Sequence, residues 1–199
     1  MEVDSSNITI SNLRLEDLKA GPESLDYLII INDGSTDKTL EVAESFSKYA
    51  HVEVINQENK GKAASLNQQM ATLETDYLAL MDADDIALPE RIEKQVQFMD
   101  AQPKLGASSR FLQYISEKGK VIGKMTSDLL GFEDAKKYEE KGDPFAIFCP
   151  SAIIRKEICL NSELRFRGQF WPADDVDLWN RIYEAGWHVY LQPEQLVQY

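Results

Sequence analysis

The stretch Leu78-Ala79-Leu80-Met81-Asp82-Ala83-Asp84-Asp85 decides how this chain is read. An apolar run ends in three carboxylates within four residues. Such a run reads as a buried strand, and in open α/β sheets ligands sit beyond the carboxyl ends of the strands. Asp is almost never buried without a partner. Three carboxylates at one strand end therefore point to a divalent cation, which takes oxygen ligands. Taken alone, the stretch also reads as a solvated acidic turn before a helix.

Upstream, Tyr27-Leu28-Ile29-Ile30-Ile31 is a second apolar, β-branched run and runs into Asn32-Asp33-Gly34-Ser35-Thr36-Asp37. Gly34 permits a tight turn, Ser35 or Thr36 can cap a helix, and Asp37 suits its positive end. Leu40, Ala43, Phe46 and Ala50 then recur near the helical period. Val52-Glu53-Val54-Ile55 reads as a short strand, Asn59-Lys60-Gly61-Lys62 as a loop with two cations, and Ala63, Leu66, Met70 and Leu73 as a helical face. Residues 1–25 are weakly patterned. Ile8-Thr9-Ile10 suits a short strand and residues 12–19 a short helix.

Downstream, Pro89 fits a first helical position. Ile92, Val96 and Met99 are expected to face inward, with Glu90 and Lys94 paired at i,i+4. Strand and helix alternate three times, which predicts a parallel sheet with right-handed crossovers. The constellations at Asp33 and at Asp82 should then share one cleft. The second half is less regular. Residues 108–115 read as a strand, 121–122 as its returning partner, 128–140 as a helix, and 144–154 as an apolar segment crossing the sheet. A loop rich in aromatics and arginines, residues 164–171, precedes a helix opening at Asp174-Asp175, with Leu178, Trp179 and Ile182 inward and Asp177 paired with Arg181. A strand over 187–191 closes the chain.

The chain has 199 residues, the length of one domain. A net charge of −13 excludes a nucleic-acid partner, because such a surface repels phosphate backbones. Cys149 and Cys159 form no CxxC pair and read as buried thiols of a reducing compartment. No signal peptide or membrane-length apolar run is visible, so a cytoplasmic location is expected, with peripheral membrane association left open.

Asn32-Asp33-Gly34-Ser35-Thr36-Asp37, Asn59-Lys60-Gly61 with Asn67, Asp82-Ala83-Asp84-Asp85 and Ala173-Asp174-Asp175-Val176-Asp177-Leu178-Trp179 match, in order and spacing, the pattern of family-2 glycosyltransferases. The chain resembles that family over residues 26–199. The resemblance implies the GT-A fold: a three-layer α/β/α sandwich on a mostly parallel, Rossmann-like sheet, here with an atypical N-terminal strand. It implies one domain over 1–199, with 26–105 binding nucleotide and 106–199 binding acceptor. It implies an inverting transferase that uses a nucleotide-diphosphate sugar, first of all a UDP-sugar, in polysaccharide or glycolipid synthesis.

The family's roles fall on matching positions. Asp33 contacts the nucleotide base. Asp82 lies near the ribose, and Asp84 ligates Mn²⁺ or Mg²⁺ at the diphosphate. Asp85 and Asp174 support the site, and Asp175 is the general base. Lys62 is a candidate phosphate contact, though loop lysines are more often solvated. Phe170 and Trp171 are candidate acceptor contacts because aromatic faces stack on sugar rings, and Arg165 and Arg167 suit an anionic acceptor. A core-capping loop is the alternative there.

The alternative for the whole chain is a non-catalytic nucleotide- or glycan-binding relative. It is motivated by the lack of a strong apolar strand in residues 1–20 and by an end before the Arg-x-His segment the family often carries. The Leu-Met-Asp-Ala-Asp run also resembles the strand end of aspartyl-nucleophile phosphatases. That reading lacks the following Thr and leaves Asn32 to Asp37 unexplained.

Overall fold

The computed structural model describes residues 8–9, 27–126 and 147–199. The expected helices over 12–19 and 128–140 lie outside them. The nine strands of the described residues are β1 (Ile8–Thr9), β2 (Leu28–Asp33), β3 (Val52–Gln57), β4 (Tyr77–Ala79), β5 (Ile86–Ala87), β6 (Leu105–Ile115), β7 (Val121–Lys124), β8 (Ile153–Arg155) and β9 (His188–Gln198). The helices are α1 (Thr39–Glu44), α2 (Lys62–Ala71), α3 (Arg91–Asp100), α4 (Lys156–Leu160) and α5 (Asp174–Glu184).

Two sheets carry the fold. One has the order β1-β2-β3; the other runs β4-β8-β6-β9-β5, with β7 beside β6. Helices cover both faces of the larger sheet. On one side α2, α4 and α5 bring Leu66, Met70, Ile158, Leu178, Trp179 and Ile182 against Leu80, Phe111, Ile154 and Leu191. On the other, Met99 of α3 packs on Leu105 and Ile153. Ile153 and Ile154 enter opposite cores because successive strand residues point to opposite faces. Leu105 and Ala107, two apart, also face opposite sides, because the β6–β9 register shifts between them. Gly106 sits at that shift, where an added Cβ would meet the Trp187 Cβ at 2.9 Å.

The α/β class and its three layers hold, but the strand directions are mixed. Among the described residues only the β2–β3 and β6–β9 pairs are parallel. β8 enters antiparallel between β4 and β6, directly preceded by a short 3₁₀ turn (Cys149–Ser151). The single parallel sheet expected from the alternation is therefore divided. Between β2 and β4 lies a groove of about 970 Å³, lined by Ile29, Ile31, Leu66, Leu78, Leu80 and Ile92. This changes the reading of α3. Its buried residues are Arg91, Gln95 and Met99, while Ile92 and Val96 line the groove. Lys94 pairs with Glu194 rather than with Glu90.

The α1 face also differs. α1 ends at Glu44, Ala50 is exposed, and the Thr39 N–H at the helix start donates to Asp37 Oδ1 at 2.9 Å. The Asp177–Arg181 pair and the inward Leu178, Trp179 and Ile182 are found as expected. No helix among the described residues is long and apolar enough to cross a membrane.

Candidate functional site

β2 and β4 belong to different sheets, yet their carboxylate ends are joined by one loop. Asp33, at the end of β2, is buried, and its Oδ1 accepts the Lys60 N–H at 3.0 Å. Its Oδ2 accepts the Gly61 N–H at 2.8 Å. Gln57 Nε2 donates to Asp33 Oδ1 at 2.7 Å and also to Ser65 Oγ at 2.7 Å. The next residue in the loop, Lys62, reaches the other strand end and forms an ion pair with Asp82 through Nζ. The close approach requires glycine at 34: its φ is +82°, and a Cβ there would lie 2.8 Å from the Asn59 backbone N.

Lys62 is the hub of the site. Burial works against its charge, while the ion pair to Asp82 and the nearby Asp174 favour it, and its pKa stands above the usual lysine value. Asp174 is buried at the first turn of α5. Beside it, Asp175 is raised above the ordinary carboxylate range by burial; the Val176 N–H, at 2.8 Å from Oδ1, opposes the rise and Asp174 adds to it. Lys62 is thus ion-paired with the motif on β4 and feels the charge of the motif opening α5, some 90 residues away.

The three carboxylates after β4 differ. Asp82 is held by Lys62. Asp84 is exposed, with no hydrogen bond or ion pair to the described residues. Asp85 is almost fully buried and pushed up to about 7, by burial first and then by Asp82 and Asp84, with Arg91 and Lys62 opposing. Its Oδ2 has no hydrogen-bond partner. Among the described residues no group of three or more His, Cys, Asp or Glu closes into a metal cage. The donor set still fits a hard divalent cation shared with a diphosphate. Such an ion is typically held by one or two carboxylates plus phosphate oxygens and water, and Asp84 offers an unpartnered carboxylate on the open side.

Above α5 lies the loop of residues 164–171. Leu164 and Phe166 are buried, Phe166 edge-on to Trp179 with ring centroids 6.2 Å apart. Phe170 and Trp171 are exposed, Trp171 to 68%. The loop therefore divides: its first part caps the core, and its end presents aromatic surface beside Asp174 and Asp175. Arg165 Nη1 donates within the loop to the Asn161 carbonyl at 2.6 Å, and Arg167 lies 3.6 Å from Asp177.

Three participants were not visible as such in the sequence. Cys149, read as a core thiol, is buried against the Lys62 cluster, and burial raises it to about 12, so it stays a neutral thiol. Arg91 is buried, its guanidinium donates to the Leu80 carbonyl at 2.6 Å, and its charge opposes the rise at Asp85. Gln57 ties Asp33 to α2. The only local hint was a polar residue at an inward helical or strand position.

The model of the family described as Glycosyl transferase family 2 matches residues 13–160. A glycosyltransferase of Haemophilus influenzae is 31% identical over 99% of this chain and 60% of its own length. Among solved structures, S. aureus TarS 1-349 in complex with UDP aligns with a TM-score of 0.67 at 15% identity, over 96% of this chain and 56% of that one. The mannosyltransferase PcManGT from Pyrobaculum calidifontis, in complex with GDP-Man and Mn²⁺, aligns with a TM-score of 0.66 at 16% identity, over 94% and 51%. The chain spans 60% of the length of that Haemophilus influenzae relative and 59% of a glycosyltransferase of Methanocaldococcus jannaschii to which it is 25% identical.

Proposed function

Because the chain belongs to glycosyl transferase family 2, we propose that it transfers a sugar from a nucleotide-diphosphate sugar, first of all a UDP-sugar, to a hydroxyl of a glycan or glycolipid acceptor, with inversion. The observation that carries the reading is the Lys62 cluster, in which the lysine is ion-paired with the donor-side motif at Asp82 and lies within electrostatic reach of the base-side pair Asp174 and Asp175. That one relative in structure holds UDP and another GDP-Man with Mn²⁺ supports a nucleotide-sugar donor and a metal.

The roles follow from the environments. Asp33 braces the loop with three accepted hydrogen bonds. A carboxylate has roughly four acceptor positions, which leaves one for the nucleotide base. Lys62 moves its ammonium between Asp82 and the incoming diphosphate, and Asp82 then faces the ribose. Asp84 would hold Mn²⁺ or Mg²⁺, which when bound offsets the charge on the leaving diphosphate as a Lewis acid. Asp85 and Asp174 support these groups from below. Asp175 takes the proton from the acceptor hydroxyl as it attacks the anomeric carbon. Phe170 and Trp171 stack on the acceptor. On this reading residues 26–105 serve the donor and 106–199 the acceptor.

The test is UDP release from a panel of UDP-sugars with Mn²⁺, comparing the protein with Asp84→Ala. Turnover that drops by about 100-fold in the variant supports the reading. UDP binding without turnover of any donor replaces it with the non-catalytic alternative.

A further inference from the structure

The donor-side helix α2 and the aromatic loop are joined by one side chain. Asn67 Nδ2 donates to the Phe166 carbonyl at 2.8 Å, and the Phe166 N–H donates to Asn67 Oδ1 at 2.8 Å. One amide side chain thus pairs with both backbone groups of one residue, as a neighbouring strand would. Asn has the donor and the acceptor this needs, at this length; Asp lacks the donor and Ala has neither.

The paired residue sits at a junction. Phe166 is 4% exposed and edge-on to Trp179 of α5. On its other side Arg181 donates to the Glu163 carbonyl at 2.9 Å and to the Arg165 carbonyl, while gripping Asp177. Two residues on, Gly168 runs close to α2, where a Cβ would lie 3.6 Å from Ala63. Ala63 follows Lys62. The loop then delivers Phe170 and Trp171 and enters α5 at Asp174.

We infer that Asn67 is a positioning residue: it fixes the acceptor loop to the helix that carries Lys62, and so sets the distance between the donor-side charges and the acceptor surface. Asn67 touches no reacting atom in this arrangement and acts through Phe166. The acceptor part of the inference rests on the transferase reading; the positioning part does not.

The test uses the full chain as Asn67→Ala and Asn67→Asp. Hydrogen exchange is read over residues 164–171 and over β6, UDP affinity with Mn²⁺ is measured, and transfer to p-nitrophenyl glycosides is assayed. In Asn67→Ala the loop amides exchange about tenfold faster while β6 keeps its rates and UDP affinity holds within about twofold. Asn67→Asp, which still accepts the Phe166 N–H, keeps part of the protection. Among glycosides the protein accepts, the acceptor KM rises about tenfold with the donor KM unchanged. Unchanged loop exchange in Asn67→Ala, or faster exchange in β6 and the loop together, overturns the inference. Inactivity of the unsubstituted protein with every donor counts against the transferase reading, while the exchange data still decide the positioning claim.

Discussion

Asp33 and Asp84 are both aspartates just past an apolar strand, and the structure treats them oppositely. Asp33 is buried and accepts three hydrogen bonds from the loop it holds. Asp84 is exposed, and the described residues give it no hydrogen-bond or ion-pair partner. The first holds the loop in place; the second stands open at the surface. Identical residue types at similar strand ends thus divide by partner and burial, which no local pattern displays. A buried carboxylate that loses its donors, or donors that lose their carboxylate, cost stability. An exposed, unpartnered one can be removed without that cost.

The contrast predicts which measurement each substitution moves. Asp84→Ala loses about 100-fold in metal-dependent turnover while the melting temperature stays within about 1 °C; a large drop in melting temperature would show that Asp84 has a structural partner. Asp33→Ala does the reverse first. It strands the Lys60 and Gly61 N–H groups and the Gln57 amide, at a cost of about 2–4 kcal/mol, and thermal denaturation should come roughly 5–15 °C lower. Unaltered stability there would erase the distinction.

Next in size is a pH effect at Asp175. Burial raises its pKa, so the folded protein holds the proton to higher pH than a free aspartate does. A general base works when deprotonated. The rate should therefore fall as pH drops through this raised value, with the acid limb lying above the ordinary aspartate value of about 4. A rate profile flat down to that value argues against Asp175 as the base. Trp171→Ala is the smallest change in stability, within about 0.5 kcal/mol because the ring is 68% exposed, with its effect confined to acceptor KM. An equal rise in donor KM would place the ring on the wrong side of the cleft.

Much of this was legible in the sequence. The runs at Tyr27 and Tyr77 form strands, the acidic turns fall at their carboxyl ends, and α5 opens at Asp174 with its apolar face inward. These are local signals of period and punctuation. What failed to show was non-local. The antiparallel entry of β8 between β4 and β6 is a pairing choice with no local signature. The groove between β2 and β4 is equally non-local: Ile92 and Val96 line it, while Gln95 and Met99 are buried. The hub role of Lys62 was hidden for the same reason. A loop lysine is ordinarily solvated, and only the fold pairs this one with Asp82 and brings the charge of Asp174 to bear on it.

In the proposed mechanism the acidic pair opening α5 works on what the β4 turn holds. Donor turnover by the protein and by Asp175→Asn, at equal UDP affinity with Mn²⁺, tests it most directly. The substitution keeps the shape and removes the base, so turnover should fall by about 10²–10⁴-fold with UDP affinity intact. Equal turnover in the two proteins would contradict the account.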